Sequence, residues 1–373
     1  MNAKPVKVAT SKILLRDIRG LIEQTRSAVA VTVNAGLTML NWHIGQRINK
    51  EILQTRRAGY GDEIVSTLSR QLVNEYGDGF STKNIRHMIR FAEAFPDEQI
   101  VSTLWRQLGW SHFKEITYIK EVLKRDFYAE MCRIERWSVR TLRDKIDGML
   151  YERTAISRKP ESVIRHELDN LRADDQITPD LVFKDPYILD FLGLNDRYLE
   201  KDLEDAILRE LEHFILELGG GFSFIARQKR IQIDSDDYYI DLLFYNRKLK
   251  RLVAIDLKLG DFKAADKGQM ELYLRWLDKH ERQQDEQTPI GLILCAGKKQ
   301  ETVELLELSR SSIRVAEYLT ELPSRKILEQ KLHKAVEHAR KRFEDKSIQP
   351  SKKTVKTEAK AKEKTITKTR KKG

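Results

Sequence analysis

Two strand-like runs that are apolar at most positions but carry three charged residues constrain this chain more than any other feature. They occupy residues 238–260, which read YYIDLLFYNRKLKRLVAIDLKLG. Short apolar runs bounded by turn residues predict strands that are buried on both faces. Four basic residues fall in or next to the connecting segment, at 247, 248, 250 and 251, and the three charges inside the apolar runs are Asp241, Asp256 and Lys258. Because a buried charge needs a partner or a metal ion, these three residues require a special explanation.

The spacing of the two runs predicts an antiparallel hairpin whose loop spans residues 246–250. A symmetric loop centred between Lys248 and Leu249 pairs Asp241 with Asp256. Directly opposed residues in such a ladder have Cβ atoms roughly 4.5 to 5.5 Å apart. Lys258 lies two residues beyond Asp256 and so points to the same face. Two carboxylates and a lysine are therefore expected to converge.

This group has the chemistry that phosphodiester hydrolysis requires. A divalent ion held by Asp241 and Asp256 would neutralise developing charge and lower the pKa of a bound water. Mg²⁺ suits carboxylate and water ligands, and Mn²⁺ is expected to substitute for it. Lys258 could position or deprotonate that water, or stabilise charge on the phosphate, and its pKa decides between these roles. The alternative is a solvated strand face with a simple Asp–Lys pair, which the apolar flanking residues disfavour.

The order Asp241, then Asp256-x-Lys258 on adjacent strands, resembles the PD-(D/E)xK nuclease superfamily. That resemblance implies that the acids bind Mg²⁺ and that the lysine assists the nucleophilic water. The proline that often precedes the first acid is replaced by Ile240.

Over residues ~15 to 320 the chain resembles the bacterial YhcG-type nucleases. The resemblance rests on NWHIGQRI, RAGYGDEIVSTLSRQL, GFSTKNIRHMIRFAEAFP, GQMELYL and the segment 238–260. It implies an α/β C-terminal domain with a restriction-endonuclease-like core, a mixed central sheet flanked by helices. It also implies that an all-α, helix-turn-helix-like domain precedes this core, and a role in DNA recombination, repair or defence.

The same resemblance adds candidate residues around the predicted site. Gln269 and Tyr273 match the Gln-x-x-x-Tyr helix of RecB-like nucleases, which contacts substrate. The pair Arg227-Gln228 matches the family too and is a candidate phosphate contact, with a plain surface strand charge as the alternative. A third acid usually comes from the helix before the first strand. Glu204 lies within the apolar arc of that helix and is the preferred metal or water ligand, with Glu210 in reserve. Glu204 could instead pair with a basic residue such as Arg227.

The C-terminal half has the pattern of a small mixed α/β domain. A long helix over 196–218 should end at the glycine triplet, and a charged helix over 324–346 should follow the last strand. Between them we expect four further elements besides the hairpin strands 238–245 and 251–259: strands 222–233, 290–295 and 313–318, and a helix 264–279.

The first ~155 residues show helical spacing throughout. Two helices, 62–75 and 82–95, are separated by the turn Gly77-Asp78-Gly79-Phe80, with Ser81 as a potential N-cap. The second helix presents a basic face, as insertion into a DNA groove requires, although helix hairpins with solvated basic faces are common. That face consists of Lys83, Arg86, His87 and Arg90.

These patterns predict the following division of the chain: an extension 1–14, a helical DNA-binding-like domain 15–155, a connector 156–185, a nuclease domain 186–322, a C-terminal helix 323–347 and a disordered basic tail 348–373. Most of the net charge of +11 is located in the tail. Residues 351–373 hold ten Lys or Arg and two Glu, a net +8, which leaves +3 elsewhere. The tail could tether the chain to nucleic acid or simply keep it in solution.

Composition excludes several classes of protein. No apolar run approaches the ~18 residues of a membrane helix, and no secretory signal is recognisable, so a soluble cytoplasmic protein is expected. The two cysteines, Cys132 and Cys295, are too few for a disulfide framework or a cysteine metal site.

Three functional hypotheses follow. The first is a Mg²⁺-dependent nuclease that hydrolyses DNA phosphodiester bonds. The second is a DNA-binding or scaffold protein that retains a nuclease fold without activity. The third is a nuclease that needs a protein partner in a DNA-processing complex. Severing both strands of a duplex with one site per chain would favour a homodimer.

Overall fold

The computed structural model describes residues 12–54, 60–104, 107–194, 199–308, 311–321 and 323–348. The chain forms two compact units, which divide between Gly148 and Met149. Of the predicted extension, residues 1–11 lie outside the described residues, and so does the predicted basic tail beyond Ile348. No helix in the described segments is both long and apolar enough to cross a membrane.

The described residues of the first unit are helical, as the spacing predicts. Helix α3 packs its buried side chains Ile85, Met88 and Phe91 toward the interior and contacts α1 extensively. The helices are α1 Lys12–Gln54, α2 Tyr60–Tyr76, α3 Thr82–Ala94, α4 Glu98–Leu104, α5 Trp110–Ile116, α6 Val122–Glu135 and α7 Val139–Asp147.

The helix–turn–helix expected around Gly77 is formed by α2 and α3, with a short 3-10 turn Asp78–Phe80 between them. Gly77 has φ 86°, a left-handed conformation that favours glycine at the end of a helix. Ser81 occupies the N-cap position of α3, but its side chain makes no capping hydrogen bond. The predicted cap bond is therefore wrong. Instead, the Asn84 side chain donates to the Gly79 carbonyl at 2.9 Å and ties the turn to the helix.

The second unit is built on one mixed six-stranded sheet with the order β1-β6-β5-β4-β3-β2. Strands β1, β6, β5 and β4 are parallel, whereas β4, β3 and β2 are antiparallel. The strands are β1 Tyr187–Ile188, β2 Phe222–Ile233, β3 Asp236–Asn246, β4 Arg251–Asp261, β5 Ile290–Gly297 and β6 Ile313–Leu319. The α/β class and the mixed sheet are thus confirmed.

Helices cover both faces of this sheet, which explains why its central strands are apolar on nearly every position. One core packs Leu203, Ile207 and Phe214 against Leu242 and Val253. On the opposite face, Tyr273 and Leu277 pack against other sheet residues. The helices are α8 Leu150–Arg153, α9 Glu161–Asp174, α10 Pro179–Val182, α11 Glu200–Arg209, α12 Leu211–Leu218, α13 Ala264–His280, α14 Gln300–Leu305 and α15 Arg325–Ile348.

The single long helix expected over 196–218 is wrong. Two helices, α11 and α12, meet at Glu210, whose ψ of 32° leaves the helical region. Residues 195–198, which include the expected start, lie outside the described residues. The sequence gives no glycine or proline at the break, so no local signal announces it. Leu203 and Phe214, on either side of the break, belong to the same core.

The hairpin register agrees with the symmetric-loop prediction. Leu242 is paired with Ile255, Leu243 with Ala254 and Phe244 with Val253, as a loop centred between Lys248 and Leu249 requires.

Residues 156–185, read from the sequence as a connector, contain α9 and α10, whose Leu168, Leu171 and Leu181 are buried.

Candidate active site

The pairing of β3 with β4 ends one position before the two aspartates, and the two strands separate there. We call this point of separation the fork. The ladder of paired residues runs from Asn246–Arg251 to Leu242–Ile255. At the next position the Asp241 Oδ2 accepts a hydrogen bond from the Leu257 amide at 2.8 Å. A side chain therefore takes the place of a main-chain acceptor, and the carboxylate is fixed at the mouth of the fork.

Asp256 lies on β4, the other strand of the fork, in the centre of the sheet, and is only 2% exposed. Its Oδ2 is 2.9 Å from the Lys258 Nζ, so the two predicted site residues form an ion pair. The same oxygen has no hydrogen bond of good geometry among the described residues. The lysine therefore supplies charge to Asp256 without saturating its lone pairs.

Burial raises the pKa of both acids, and a neighbouring carboxylate adds to the rise in each case: Asp241 for Asp256, and Glu204 for Asp241. The pKa of Asp256 rises to about 7, first because burial disfavours its charge; Lys258 opposes this rise and Asp241 adds to it. Burial likewise raises the pKa of Asp241, against the Leu257 hydrogen bond.

Lys258 is shifted in the direction that keeps it charged. Burial would lower its pKa, but the carboxylates of Asp256 and Asp241 outweigh that effect and raise it. In the metal-free protein Lys258 is therefore an ammonium at neutral pH. Of the roles that the sequence left open, this favours stabilising negative charge over removing a proton from water.

Gln228, which the sequence suggested only together with Arg227 as a phosphate contact, instead bonds to two of the predicted acids. Its Nε2 donates to Asp241 Oδ1 at 3.1 Å and to Glu204 Oε2 at 2.8 Å. This amide bridges the fork to helix α11, where Glu204 is 6% exposed. Its neighbour Arg227 was singled out, but only the β2–β3 register places Gln228 opposite Asp241.

The backbone at Gln228 is adapted to this position. Its φ of 44° is left-handed, which costs a non-glycine residue on the order of 1 kcal/mol or more. The ladder pairs Arg227 with Leu242 and Lys229 with Ile240 on either side. Non-glycine residues in such conformations cluster at functional sites, which marks Gln228 as a candidate positioning residue.

Of the two glutamates considered for a third acid, Glu204 lies beside the fork and Glu210 does not. Arg227 Nε donates to Glu204, and its Nη2 donates to Asp205 at 2.8 Å. The pairing of Glu204 with Arg227, which the sequence left as an alternative, is thus present. Glu210 lies at the α11–α12 break and contacts the exposed His213 at 2.9 Å.

Helix α13 approaches the same face of the sheet. Gln269 Nε2 donates to the Tyr273 hydroxyl at 2.5 Å, so the two predicted substrate contacts are bonded to each other. Burial raises the pKa of Tyr273, and the charges of Asp256 and Asp241 raise it further. The tyrosine hydroxyl therefore lies within the field of the two carboxylates.

The donor set fits a hard divalent cation that keeps most of its water. No group of three or more His, Cys, Asp or Glu within the described ranges is placed to hold a metal ion. Mg²⁺, however, is usually bound by one or two carboxylates together with waters and substrate phosphates. Asp241 and Asp256 supply two carboxylates, and the buried Asp256 Oδ2 lacks a directed hydrogen bond.

A separate basic surface lies in the first unit, on α3. The side chains of Lys83, Arg86 and Arg90 are exposed, opposite the buried face of the helix. Arg86 contacts Asp62 at 3.0 Å, whereas Arg90 stacks over the Tyr118 ring at 4.8 Å.

The pKa of His87 is affected by the positive charges of this surface. This histidine is bonded to the Tyr118 hydroxyl at 3.1 Å. Its pKa is lowered by burial first, and then by the charges of Lys114, Lys83 and Arg90. The four residues predicted from the sequence therefore share one surface with Lys114 and Tyr118, which the sequence reasoning missed because they belong to another helix and a loop.

Comparison with known families assigns both units. A model described as the YhcG PDDEXK nuclease domain matches residues 180–334, and one described as the DUF1016 N-terminal domain matches residues 17–153. A protein of Escherichia coli strain K12 named "Putative nuclease YhcG" is 34% identical over 343 residues. These residues are 84% of this chain and 91% of the relative.

Two solved structures show low similarity to part of this chain. A repair endonuclease from Pyrococcus abyssi is 20% identical over 35% of this chain, with a TM-score of 0.24. The EndoMS–dsDNA2 complex is 17% identical over 35% of this chain, with a TM-score of 0.25. The matched region spans about half of each of those chains.

Proposed function

Because the chain belongs to the YhcG family and carries its PDDEXK nuclease domain, we propose that it is a divalent-metal-dependent nuclease that hydrolyses phosphodiester bonds in DNA. The observation that carries this proposal is the pair formed by the buried Asp256 and the half-buried Asp241. These carboxylates lie together at the β3–β4 fork, both with raised pKa, beside a single lysine. A protein holds acids in this state at a cost, and a bound cation removes that cost.

Asp241 and Asp256 would hold the ion, Mg²⁺ or in its place Mn²⁺. When bound, the ion supplies charge neutralisation at the phosphate and a water of lowered pKa. The Lys258 ammonium, 2.9 Å from Asp256, would stabilise negative charge on the phosphate.

The surrounding residues position this group. Gln228 holds the Asp241 carboxylate in one orientation through its amide, and Glu204 orients that amide in turn. Gln269 and Tyr273 offer polar groups toward the same face and are proposed to contact substrate. Arg227, which is partly exposed beside Glu204, is a proposed phosphate contact.

The basic surface of α3 is proposed as a DNA-backbone contact. Lys83, Arg86, His87 and Arg90 would neutralise phosphates without reading sequence, so binding through them should weaken steeply with salt. Tyr118, which is 53% exposed, adds an aromatic ring to this basic surface.

A cleavage assay tests the proposal. Wild-type protein and the Asp256→Ala and Lys258→Ala variants are incubated with labelled linear, circular, branched and single-stranded DNA, and with RNA, in Mg²⁺ or in chelator. Wild type should cut at least one DNA form only with metal, and both variants should bind DNA without cutting it. Glu210→Gln, at a partly exposed glutamate at the end of α11, is the matched control and should cut normally.

The same assay separates the competing hypotheses. A scaffold protein without activity would bind DNA but never cut it, and Mg²⁺ would not change its stability. A nuclease that needs a protein partner would bind Mg²⁺ alone and cut only after cell extract is added. Roles in recombination, repair or defence are proposals that the substrate preference would narrow, since branched, broken and foreign DNA are different substrates.

A further inference from the structure

Strand β6 leaves part of its outer edge without a partner strand, and a cavity lies there. Strand β1 pairs with β6 only at Tyr318 and Leu319, so no described strand covers residues 313–317 on that side. A cavity of about 260 Å³ is lined by residues 313–315 of this uncovered part. Its other walls come from the 3-10 turn Ala155–Arg158, residues 180–185, α14 and α15, all in the second unit.

Side chains bond the backbone groups that a longer β1 would have bonded. Lys298 Nζ donates to the Val315 carbonyl at 2.8 Å, and the Asp185 carboxylate accepts a hydrogen bond from the Glu317 amide at 3.0 Å. An extended peptide that docks on a strand edge needs such groups for its own main-chain hydrogen bonds. Because these groups are already bonded, the cavity suits a small molecule rather than a peptide strand.

The size and the apolar walls of the cavity limit what it can hold. Phe183, Val303, Leu308 and Val315 contribute apolar wall. A cavity of ~150 Å³ that is lined by apolar side chains is large enough for benzene. The volume of about 260 Å³ therefore holds one aromatic ring together with a further group of a few atoms.

Positive charge predominates among the side chains that line the cavity. Five are basic and three are acidic, namely Arg158, Lys159, Lys184, Lys298, Arg314 and Asp180, Asp185, Glu304. Lys184 is bonded to Glu217, which does not line the cavity, and Glu304 is exposed and bonded to Gln300. Asp185 is shared by Arg158 and Lys298, and Asp180 is shared by Lys159 and Arg314. Four cations therefore share two carboxylates within the cavity.

Two further acids lie near the cavity without lining it. Glu167 is bonded to Thr178 and lies near Asp180, and Glu317 lies near Asp185. Burial raises the pKa of both glutamates, which disfavours their charged form. They leave the surplus of cations on the cavity wall in place.

The two lysines that share these carboxylates keep hydrogen-bond donors for a ligand. An ammonium has three N–H donors. Among the contacts of the described residues, Lys159 uses one donor, to Asp180 at 2.8 Å. In the same part of the chain Lys298 uses two, to Asp185 and to the Val315 carbonyl. An oxyanion in the cavity can accept hydrogen bonds from the donors that remain.

Arg314 offers a guanidinium to the same space. Its Nη1 donates to the Ser311 carbonyl at 3.0 Å, whereas its Nη2 lies 3.5 Å from Asp180, too far for a strong hydrogen bond. Guanidinium and ammonium groups bind carboxylate and phosphate oxygens through charge-assisted hydrogen bonds. We propose that the cavity binds a small organic anion, a phosphate or carboxylate group on an apolar body the size of one aromatic ring. None of the residues of the proposed nuclease site lines this cavity.

Phenyl phosphate is the probe for this site, because it joins one aromatic ring to one phosphate. Its binding to the full chain is measured by calorimetry in chelator, so that no metal ion can hold the phosphate. The Kd should be on the order of 0.1 to 1 mM, as a ligand of about eleven non-hydrogen atoms permits. Benzyl alcohol, which has the ring without the charge, should bind at least about tenfold more weakly. Benzoate is measured in parallel, and the tighter of the two anions identifies the preferred charged group.

Variants of the wall locate the binding. Lys159→Gln removes a charged donor and should weaken binding roughly tenfold. Val303→Trp fills the cavity without removing a charge and should abolish binding. Lys267→Gln is the matched control, because the Lys267 side chain is 26% exposed, against 25% for Lys159, and also pairs with one acid. It should bind as wild type does, and so should Asp256→Ala and Arg86→Gln, which alter the nuclease site and the basic surface.

Three results would overturn the proposal. The first is that neither phenyl phosphate nor benzoate binds, or that benzyl alcohol binds equally well. The second is that binding survives in both Lys159→Gln and Val303→Trp, with circular dichroism showing both variants folded, which would place the ligand elsewhere. The third is that inorganic phosphate binds as tightly as phenyl phosphate, which would mean an adventitious ion only.

Discussion

Two buried aspartates of the second unit, Asp256 and Asp185, are in opposite electrostatic states. Asp185 is 9% exposed, and its carboxylate is bonded to Arg158 and Lys298 and accepts the Glu317 amide at 3.0 Å. Burial opposes its charge, but Lys298 and Arg158 outweigh burial and lower its pKa. Asp256 has one lysine and a second carboxylate nearby, and its pKa is raised to about 7.

The difference separates a structural carboxylate from a candidate ligand-binding one. The protein itself satisfies Asp185, so nothing further is needed to keep its charge. The positive charge near Asp256 does not balance its burial and the neighbouring carboxylate, so a cation from solution would find a favourable site there. Burial alone does not distinguish them, because both are almost fully enclosed; the number and sign of the neighbouring charges does.

The largest expected contrast is in cleavage. Asp256→Ala should reduce the rate of DNA cleavage on the order of 10³-fold, since it removes one of two proposed metal ligands. Asp185→Asn should leave the rate per folded molecule within a few-fold of wild type. Initial rates on labelled DNA, normalised to the folded fraction from circular dichroism, measure both. Equal losses in the two variants would end the distinction between them.

Stability should respond in the opposite order. Asp185→Asn leaves the partly buried Arg158 and Lys298 without their carboxylate, so the free energy of unfolding should fall by roughly 3 kcal/mol. Asp256→Asn removes a repelling charge and should leave the metal-free protein equally stable or more stable. Urea unfolding of both variants in chelator makes the measurement. A large destabilisation by Asp256→Asn would show that its pair with Lys258 is structural.

The two residues should also give opposite pH dependences in chelator. Between the ordinary pKa of Asp256, 3.8, and its folded value of about 7, the folded protein binds more protons than the unfolded chain. Its contribution therefore falls as pH rises through this window, by at most about 1.4 kcal/mol per pH unit. Asp185, whose pKa is lowered, contributes stability above its ordinary pKa that is lost as pH falls.

The free energy of unfolding of wild type and of each variant, measured in chelator at a series of pH values, isolates these contributions. The wild-type minus Asp256→Asn difference should decline from pH 5 to 7.5, and the wild-type minus Asp185→Asn difference should decline below pH 4. A flat first difference would mean that Asp256 is already compensated in the metal-free protein.

The smallest expected effect is stabilisation by the metal. Mg²⁺ at ten times its Kd should raise the free energy of unfolding of wild type by about 1.4 kcal/mol. Asp256→Asn should lose this increment, and Asp185→Asn should retain it on its lower baseline. Thermal unfolding with and without Mg²⁺ or Mn²⁺ measures it. An equal increment in all three proteins would assign metal binding elsewhere.

The central site was predictable because its information is local. The register of β3 and β4 follows from a short symmetric loop, so the fork that brings Asp241 and Asp256 together is contained in 23 residues. Helical periodicity likewise located α3 and its basic face. The site roles themselves stay predictions until the variants above are measured.

What the sequence could not supply depends on pairings between distant residues. The break at Glu210 has no glycine or proline to announce it, and the register of β2 against β3 alone places Gln228 beside Asp241. The same holds for Tyr118 against His87, and for Asp185 with its two cations, of which Lys298 is more than one hundred residues away.

The sequence by itself determined most of the strands and helices, the hairpin and the residues that can carry chemistry, because periodicity and short loops act over a few residues. The tertiary structure decided which of two glutamates lies at the fork, which lysine role is favoured, and which buried aspartate is satisfied. Those outcomes depend on the local field, which sums charges and burial over elements that only folding brings together.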